Sequence, residues 1–380
     1  MLFFEPIKLN NQLMAYNWQQ KDWPFFTYSL EELECKLLDF AKQTGHLSGT
    51  LQSLPSKEQV DFIVATMLSE ALKTSAIEGE YFSREDVVSS IRNNMGLNTI
   101  PEKVSDQRAS GIAELMVDAR NTFNEPLSNV KLFDWHRMLM KGNLWINKGM
   151  WRTDEAPMQI ISGAIGKEKV HFEAPPSQSV PAEMDRFIRW FNNTSPIGPD
   201  YIIHAPVRAA IAHLYFESIH PFEDGNGRIG RAIAEKALSQ NIGRPILFSL
   251  SQAIEADKKM YYQALQSNSK SNAITPWVAY FVSLLLDAQG QAEKQIQFVL
   301  SKTKYFDRFE NQLNPRQLKV IKNMLEHGTD GFVGGMSARK YASIAKTSKA
   351  TATRDLQQLL GLGALLVEGD GRSTRYYMNI

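Results

Sequence analysis

A chain of 380 residues, 43% apolar and 22% charged, is long enough for two or three domains, each with its own buried core. Its formal net charge of +1 excludes a global basic field of the kind that dominates nucleic-acid or membrane-surface binding. A single cysteine, Cys35, excludes an intrachain disulfide framework and a multi-cysteine zinc site, and is expected as a small buried residue. The opening MLFFEPIKLN lacks the basic region and apolar segment of a secretory signal. The longest apolar run, within Val278–Leu286, falls far short of the ~20 residues that a membrane span needs. A cytoplasmic protein with no membrane segment is expected.

Helical periodicity appears first at Phe62, Ile63, Leu68, Ala71 and Leu72, which predicts a helix over Val60–Lys73. Similar stripes predict helices over Asp106–Phe123 and Val130–Met140. Pro157–Val170 differs: two short β-prone runs around Ser162-Gly163-Ala164 and Gly166 predict a β-hairpin, ended by Pro175-Pro176. Helical stripes resume over Pro181–Phe191, Pro206–Ser218, Gly227–Gln240, Ala256–Ser267 and Pro276–Leu286. A boundary falls near Asp307–Asn314. Beyond it, helices are expected over Pro315–Glu326, Ser337–Ala345 and Ser348–Leu360, with Ser348 as an N-cap and Gly361 or Gly363 as a stop. Two short strands, Ala364–Glu368 and Arg372–Met378, then flank Gly369-Asp370-Gly371. Three helices followed by a two-stranded ribbon form the winged-helix pattern. From residue 312 onward ten Lys+Arg stand against five Asp+Glu, so the near-neutral total conceals a basic tail of net +5.

The chemistry concentrates in His220-Pro221-Phe222-Glu223-Asp224-Gly225-Asn226-Gly227-Arg228-Ile229-Gly230-Arg231. Its glycines lie between two apolar helices and lead into a helix N-terminus, where free N–H groups and the helix dipole favour an anion. Arg228 and Arg231 share one face of that first turn and suit phosphate oxygens. Asp224 is a hard oxygen ligand beside a phosphate seat, the usual way of holding Mg²⁺. His220 brings an imidazole that can be neutral at pH 7 and accept a proton from a hydroxyl. The spacing Gly225-x-Gly227-x-x-Gly230 formally matches a dinucleotide fingerprint, but no strand precedes it, so that reading is set aside. His204, His213 and His220 have no metal-binding spacing. The remaining histidines read as structural or exposed, with His171 of the hairpin set apart by its position.

This dozen resembles the signature of the Fic family of AMP-transferring proteins, His-Pro-Phe-x-Asp/Glu-Gly-Asn-Gly-Arg-x-x-Arg, at every defined position. The resemblance covers roughly residues 60–320 and implies an all-α Fic core with an inserted β-hairpin flap, followed by a C-terminal winged helix. The implied domains are 1–105, a helical region with an inhibitory helix; 106–311, the catalytic domain; and 312–380, the winged helix. The implied activity is transfer of AMP from ATP to a Ser, Thr or Tyr hydroxyl of a protein, with Mg²⁺ as cofactor. His220 would be the base and Asp224 the Mg²⁺ ligand. Gly225, Asn226, Gly227 and Arg228 would cradle the α- and β-phosphates, and Arg231 the γ-phosphate. Ile229, Gly230, and Val170 and His171 of the flap would complete the ATP site, with Tyr261, Tyr262 and Asn268 at the adenosine. The flap, about Ile160–Phe172, would lay a protein target alongside the site by strand pairing.

Thr74-Ser75-Ala76-Ile77-Glu78-Gly79 resembles the family's inhibitory motif. It implies that Thr74, Glu78 and Gly79 hold the enzyme in check, with Glu78 paired to Arg231 in the way of γ-phosphate seating. The tail around Tyr341–Ala345, Ser348–Leu356 and Gly369–Tyr376 resembles the winged helix appended to many bacterial Fic proteins, whose third helix would enter a DNA major groove. The resemblance leaves open whether the tail takes DNA or packs against protein, and whether the chain pairs with a second copy. It also leaves open removal of AMP by phosphodiester hydrolysis, and a nucleotide-sensing DNA-binding regulator.

Overall fold

A computed structural model describes residues 16–162 and 169–380. Among them are fourteen α-helices and two antiparallel two-stranded sheets, a mostly helical architecture as expected. The chain opens with α1 (Glu34–Ser53), α2 (Ser56–Ile77), α3 (Arg84–Asn94), α4 (Gln107–Asn121) and α5 (Asn129–Leu139). The hairpin β1 (Gln159–Ser162) and β2 (Lys169–Glu173) follows, then α6 (Val180–Asn193), α7 (Ala205–Ile219) and α8 (Asn226–Ile242). Next come α9 (Leu250–Ala256), α10 (Lys258–Asn268) and α11 (Thr275–Phe309). The chain ends with α12 (Pro315–Leu325), α13 (Ala338–Ala345), α14 (Lys349–Gly361), β3 (Leu365–Glu368) and β4 (Arg375–Met378). The turn expected at Gly163, Ala164 and Gly166 lies outside the described residues. None of the described helices is long and apolar enough to cross a membrane.

Two compact units divide the chain: Met1–Thr44 with Ile63–Gln289, and Gly45–Phe62 with Gly290–Ile380. In the first, α7 forms the axis. Each of its residues except Glu217 is buried, because its apolar residues cover every face and not one stripe. Pro206 opens it, where a missing N–H costs nothing. Helices α6 and α8 pack around it, with Phe187, Phe191, Phe216, Ile233 and Ala237 fully buried. The base of the hairpin is anchored in the same unit. Phe172 is buried against Tyr16, the Trp18 indole donates to the Glu173 carbonyl at 2.7 Å, and β1 pairs Gln159 with Glu173 and Ile160 with Phe172.

In the second unit, Tyr305, Phe309, Val320, Ile321, Met324, Tyr341, Leu356 and Leu359 form a separate core. Asp355, 5% exposed, ties its helices together by accepting from Arg316 Nε at 3.1 Å and Tyr341 Oη at 3.0 Å. Ser348 caps α14 by accepting from Thr351 N. β3 pairs with β4 from Leu365–Met378 to Glu368–Arg375.

Several expectations are corrected. Helix Val60–Lys73 extends at both ends to Ser56 and Ile77. The helix expected over Ala256–Ser267 is broken at Asp257, which leaves helical geometry and caps α10 by accepting from Met260 N. Helices α1, α3 and α9 had not been expected. Cys35 is exposed, since the buried stripe of α1 runs through Leu37, Phe40, Leu47 and Leu51 and leaves position 35 on the outer face.

Arg208 is the polar pin of the first core. Wholly buried on α7, it donates to Phe191 O (2.7 Å), Ala237 O (3.2 Å), Thr194 Oγ1 (3.2 Å), Gln240 Oε1 (2.8 Å) and Asn241 Oδ1 (2.9 Å). Burial pushes its guanidinium down to about 10. Arg208→Leu removes all five of these donated bonds from the core and is expected to cost about 3 kcal/mol. A lowered urea midpoint at unchanged slope is the expected reading; an unmoved midpoint removes Arg208 from this role.

Candidate functional site

Four segments of the first unit converge: the end of α7, the loop 220–225, the first turn of α8 and the turn that follows α2. His220 terminates α7 in left-handed geometry, φ 50° and ψ 60°, with its N–H on the Phe216 carbonyl at 3.0 Å. A non-glycine residue holds that conformation only when its surroundings impose it. Here Arg152 imposes it. Its Nε donates to the His220 carbonyl at 2.8 Å, its backbone N to Pro221 O at 2.9 Å, and its Nη atoms to Pro175 O and Ser177 Oγ. Arg152 is 2% exposed, and burial pushes its guanidinium down to about 10.

Inside the loop, Phe222 is fully buried and stacks on His136 at 4.2 Å. The Asn226 amide closes the loop into a ring: Oδ1 accepts from Phe222 N at 2.9 Å and Nδ2 donates to Phe222 O at 2.8 Å. Gly225 starts α8 at φ 83°, which a side chain resists, and a Cβ there would lie 2.7 Å from Met140 Cε. The first-turn N–H groups of α8 therefore point out of the helix start beside Asp224. Asp224 keeps 49% of its side chain exposed.

The two signature arginines are buried, and both are occupied. Arg231, 1% exposed, donates from Nη2 to Glu78 Oε1 at 2.8 Å and to Thr74 O at 3.0 Å, and from Nε to Thr74 Oγ1 at 2.7 Å. Burial alone would raise the Glu78 carboxyl. The charge and hydrogen bond of Arg231, with the charges of Arg228 and Lys258, carry it below its ordinary value. Arg228, 4% exposed, pairs through Nη1 with Glu80 and through Nη2 with Asp224 Oδ1 at 3.4 Å. Gly227 makes room for this arrangement, since a Cβ there would stand 2.3 Å from Glu78 Oε1. Lys258 and Tyr262 both donate to the Ile77 carbonyl and hold the turn in place.

His220 keeps 16% of its side chain exposed, with Nδ1 3.7 Å from Glu217 Oε2. Burial first, then the Arg152 charge, pushes its imidazole down to about 4, against the opposing influence of Glu78, Glu217 and Asp224. The ring is thus held in its neutral form at pH 7. Burial pushes the Glu217 carboxyl up to about 8, with Arg231 opposing.

His220, Asp224, Gly225, Asn226, Gly227, Arg228, Arg231, Thr74, Glu78 and Gly79 are all brought together. Other expectations change. Tyr261 is 1% exposed with its hydroxyl 2.7 Å from His213 Nε2, and Ile229 is fully buried, so neither presents a surface to a nucleotide. Asn268 is 9% exposed and donates to Ala264 O. The Asn226 side chain is spent on Phe222. Tyr262, 40% exposed, faces the Ile77 turn, and Val170 is exposed on β2. Sequence reasoning missed Arg152, Glu80, Glu217 and Lys258. Glu80 had a signal, a second acid two residues after Glu78 opposite a second arginine; Arg152 had none.

With this geometry in hand, residues 126–238 match the model of the Fic/DOC family, and residues 16–97 match a domain of unknown function, DUF4172. A probable protein adenylyltransferase of Aquifex aeolicus is 31% identical over 98 residues, 26% of this chain; the chain spans 29% of that relative's length. Two solved structures share the fold at 20% identity. A Fic family protein from Desulfovibrio desulfuricans has a TM-score of 0.53 over 94% of this chain and 98% of its own. A Fic domain containing signaling protein from Bacteroides thetaiotaomicron has a TM-score of 0.51 over 69% of this chain and 97% of its own.

The titration of His220 is a direct check on the site. Its folded value near 4 lies below the ordinary 6.5, so the unfolded chain binds the proton first and stability contributed by this group declines as pH falls from about 6.5 toward 4. Histidine NMR resonances assigned with His220→Asn are expected to show no change of state for His220 between pH 5.5 and 7.5. A midpoint between 6 and 7 contradicts the buried, neutral imidazole.

Proposed function

We propose that this chain, whose residues 126–238 match the Fic/DOC family model, moves AMP from ATP onto a hydroxyl of a protein, itself included. The observation that carries the reading is a neutral His220 held at the mouth of a helix N-terminus on which two buried arginines converge. In this reading the hydroxyl oxygen of the target attacks the α-phosphorus, the bond from that phosphorus to the bridging oxygen breaks, and pyrophosphate leaves. The hydroxyl proton passes to His220 Nε2. Arg152 keeps that ring at its post by fixing the backbone. The N–H groups of Asn226, Gly227 and Arg228 donate to phosphate oxygens, joined by that of Gly225 when it leaves Asp224 Oδ1, on which it rests at 2.6 Å; Arg228 neutralises the β-phosphate and Arg231 the γ-phosphate. Positioning and charge neutralisation account for most of the rate.

The residues suit a divalent metal. Among the described residues no group of three or more His, Cys, Asp or Glu forms a cage, whereas Asp224 offers one accessible carboxylate beside the phosphate seat. Mg²⁺ is commonly held by one or two carboxylates with waters and substrate phosphates, and would supply neutralisation of phosphate charge. In the resting chain Glu78 occupies Arg231, which supports autoinhibition. The exposed Ile160, Ile161 and Val170 support β1–β2 as the flap along which a target segment pairs. Residues 312–380 have the order of a winged helix, with Lys346, Lys349 and Arg354 exposed at α13 and α14. This supports DNA contact, and a gel shift with the full chain tests it.

Incorporation of α-labelled AMP into protein tests the main reading. His220→Ala is expected to lower it by about 10²–10⁴ while ATP binding is kept; a fall below tenfold removes His220 as the base. Asp224→Ala is expected to weaken Mg²⁺-dependent nucleotide binding, and an unchanged Mg²⁺ titration excludes it as ligand. Glu78→Gly is expected to raise incorporation by roughly ten- to a hundredfold, since a charge-assisted pair of this kind is worth about 1.5–3 kcal/mol. Equal incorporation by wild type and Glu78→Gly ends the autoinhibition reading.

A further inference from the structure

Glu78 accounts for one of the two signature arginines. The other is occupied by a different acid. Glu80, 29% exposed at its side chain, pairs with Nη1 of Arg228, whose own side chain is 4% exposed. The rest of the Arg228 guanidinium is poorly satisfied: Nη2 reaches Asp224 only at 3.4 Å, and Nε has no hydrogen-bond partner among the described residues. A buried guanidinium with unspent donors is a seat for a doubly acceptor anion, and here one carboxylate partly fills it.

The local backbone explains how one short turn delivers two acids to two arginines. The N–H groups of Glu78 and Glu80 both donate to the Ser75 carbonyl, at 3.0 and 2.9 Å. Gly79 between them takes φ 82° with open space at its Cβ position, which turns the chain between the two side chains. Lys258 and Tyr262 fasten the same turn through Ile77 O. Glu78 and Glu80 are therefore presented from one fastened turn, each side chain toward its own arginine.

We propose that Glu80 is a second internal competitor for the nucleotide, occupying the β-phosphate seat at Arg228 as Glu78 occupies the γ-phosphate seat at Arg231. This rests on the nucleotide reading above. The two acids then control different quantities. A carboxylate at Arg228 opposes any nucleotide with a β-phosphate and so lowers affinity for ADP and ATP alike. A carboxylate at Arg231 opposes only the γ-phosphate and so leaves ADP largely untouched. It follows that Glu78→Gly alone leaves the restraint at Arg228 in place.

Calorimetric titration of the full chain with Mg²⁺-ADP separates the two. Glu80→Gln is expected to tighten ADP binding about tenfold, in line with loss of one charge-assisted competitor. Glu80→Asp, too short to reach Arg228 in full, is expected to fall between it and wild type. Glu78→Gly is expected to leave ADP affinity within about twofold of wild type while tightening ATP, and the double variant to exceed both for ATP. Melting temperatures of the variants within a few degrees of wild type show that the turn is still folded. If ADP binds wild type and Glu80→Gln equally, or Glu78→Gly tightens ADP as much as Glu80→Gln does, the proposal is overturned while the nucleotide reading stands. If no variant, the double included, binds ADP or ATP, the nucleotide reading itself fails and the competitor falls with it.

Discussion

A guanidinium buried to 1% exposure must find acceptors inside the protein, and Arg231 is that guanidinium. It sits one turn into α8, so its partners have to come from another segment. The end of α2 provides them as Thr74 Oγ1, Thr74 O and the Glu78 carboxylate. The last turn of α2 is thereby committed to the mouth of α8, and Gly227 is required to be small. Glu80 then reaches Arg228 because it follows Glu78 by two residues in a turn that Gly79 bends. One buried charge thus ties the end of α2 and the turn after it to the start of α8.

A second constraint keeps the loop before α8 rigid. His220 and Gly225, both in left-handed geometry, bracket four residues that include the buried Phe222 and the Asp224 carboxylate. Arg152 clamps the outer side through main-chain carbonyls, while Asn226 ties the inner side to Phe222. The His136 ring beneath Phe222 is neutral, burial having pushed it down to about 4, so it stacks without adding a charge near Asp224. Conformational strain at His220 is sustained by charge-assisted bonds from a residue far away in the chain.

Legibility varied with the range of the interaction. The dozen from His220 to Arg231 revealed its own geometry because glycines, a helix start and two arginines at a three-residue spacing are local features. The helices α4, α5, α6, α7 and α8 were found to within a few residues by their apolar period. α3 escaped because only Val87, Ser90 and Ile91 are buried on it, too few to mark a stripe. Tyr261 misled because a tyrosine looks the same in sequence whether its hydroxyl meets water or, as here, a buried His213. Cys35 misled for the complementary reason, since residue type carries no information about which face of α1 it occupies.

Sequence by itself determined the start of a helix behind a glycine loop, two arginines on its first turns, and the Thr74–Gly79 segment that carries Glu78. These depend on residues within a dozen positions of one another or on a short motif. Tertiary structure alone decided which acid meets which arginine, that the Asn226 amide is spent on Phe222, and that Arg152 clamps the His220 carbonyl. It also decided the protonation of the site: His220 neutral near pH 7 and Glu217 raised to about 8. The physical reason is that pairing and desolvation act between groups more than a hundred residues apart, such as Glu80 and Arg228, and a linear spacing carries no measure of burial.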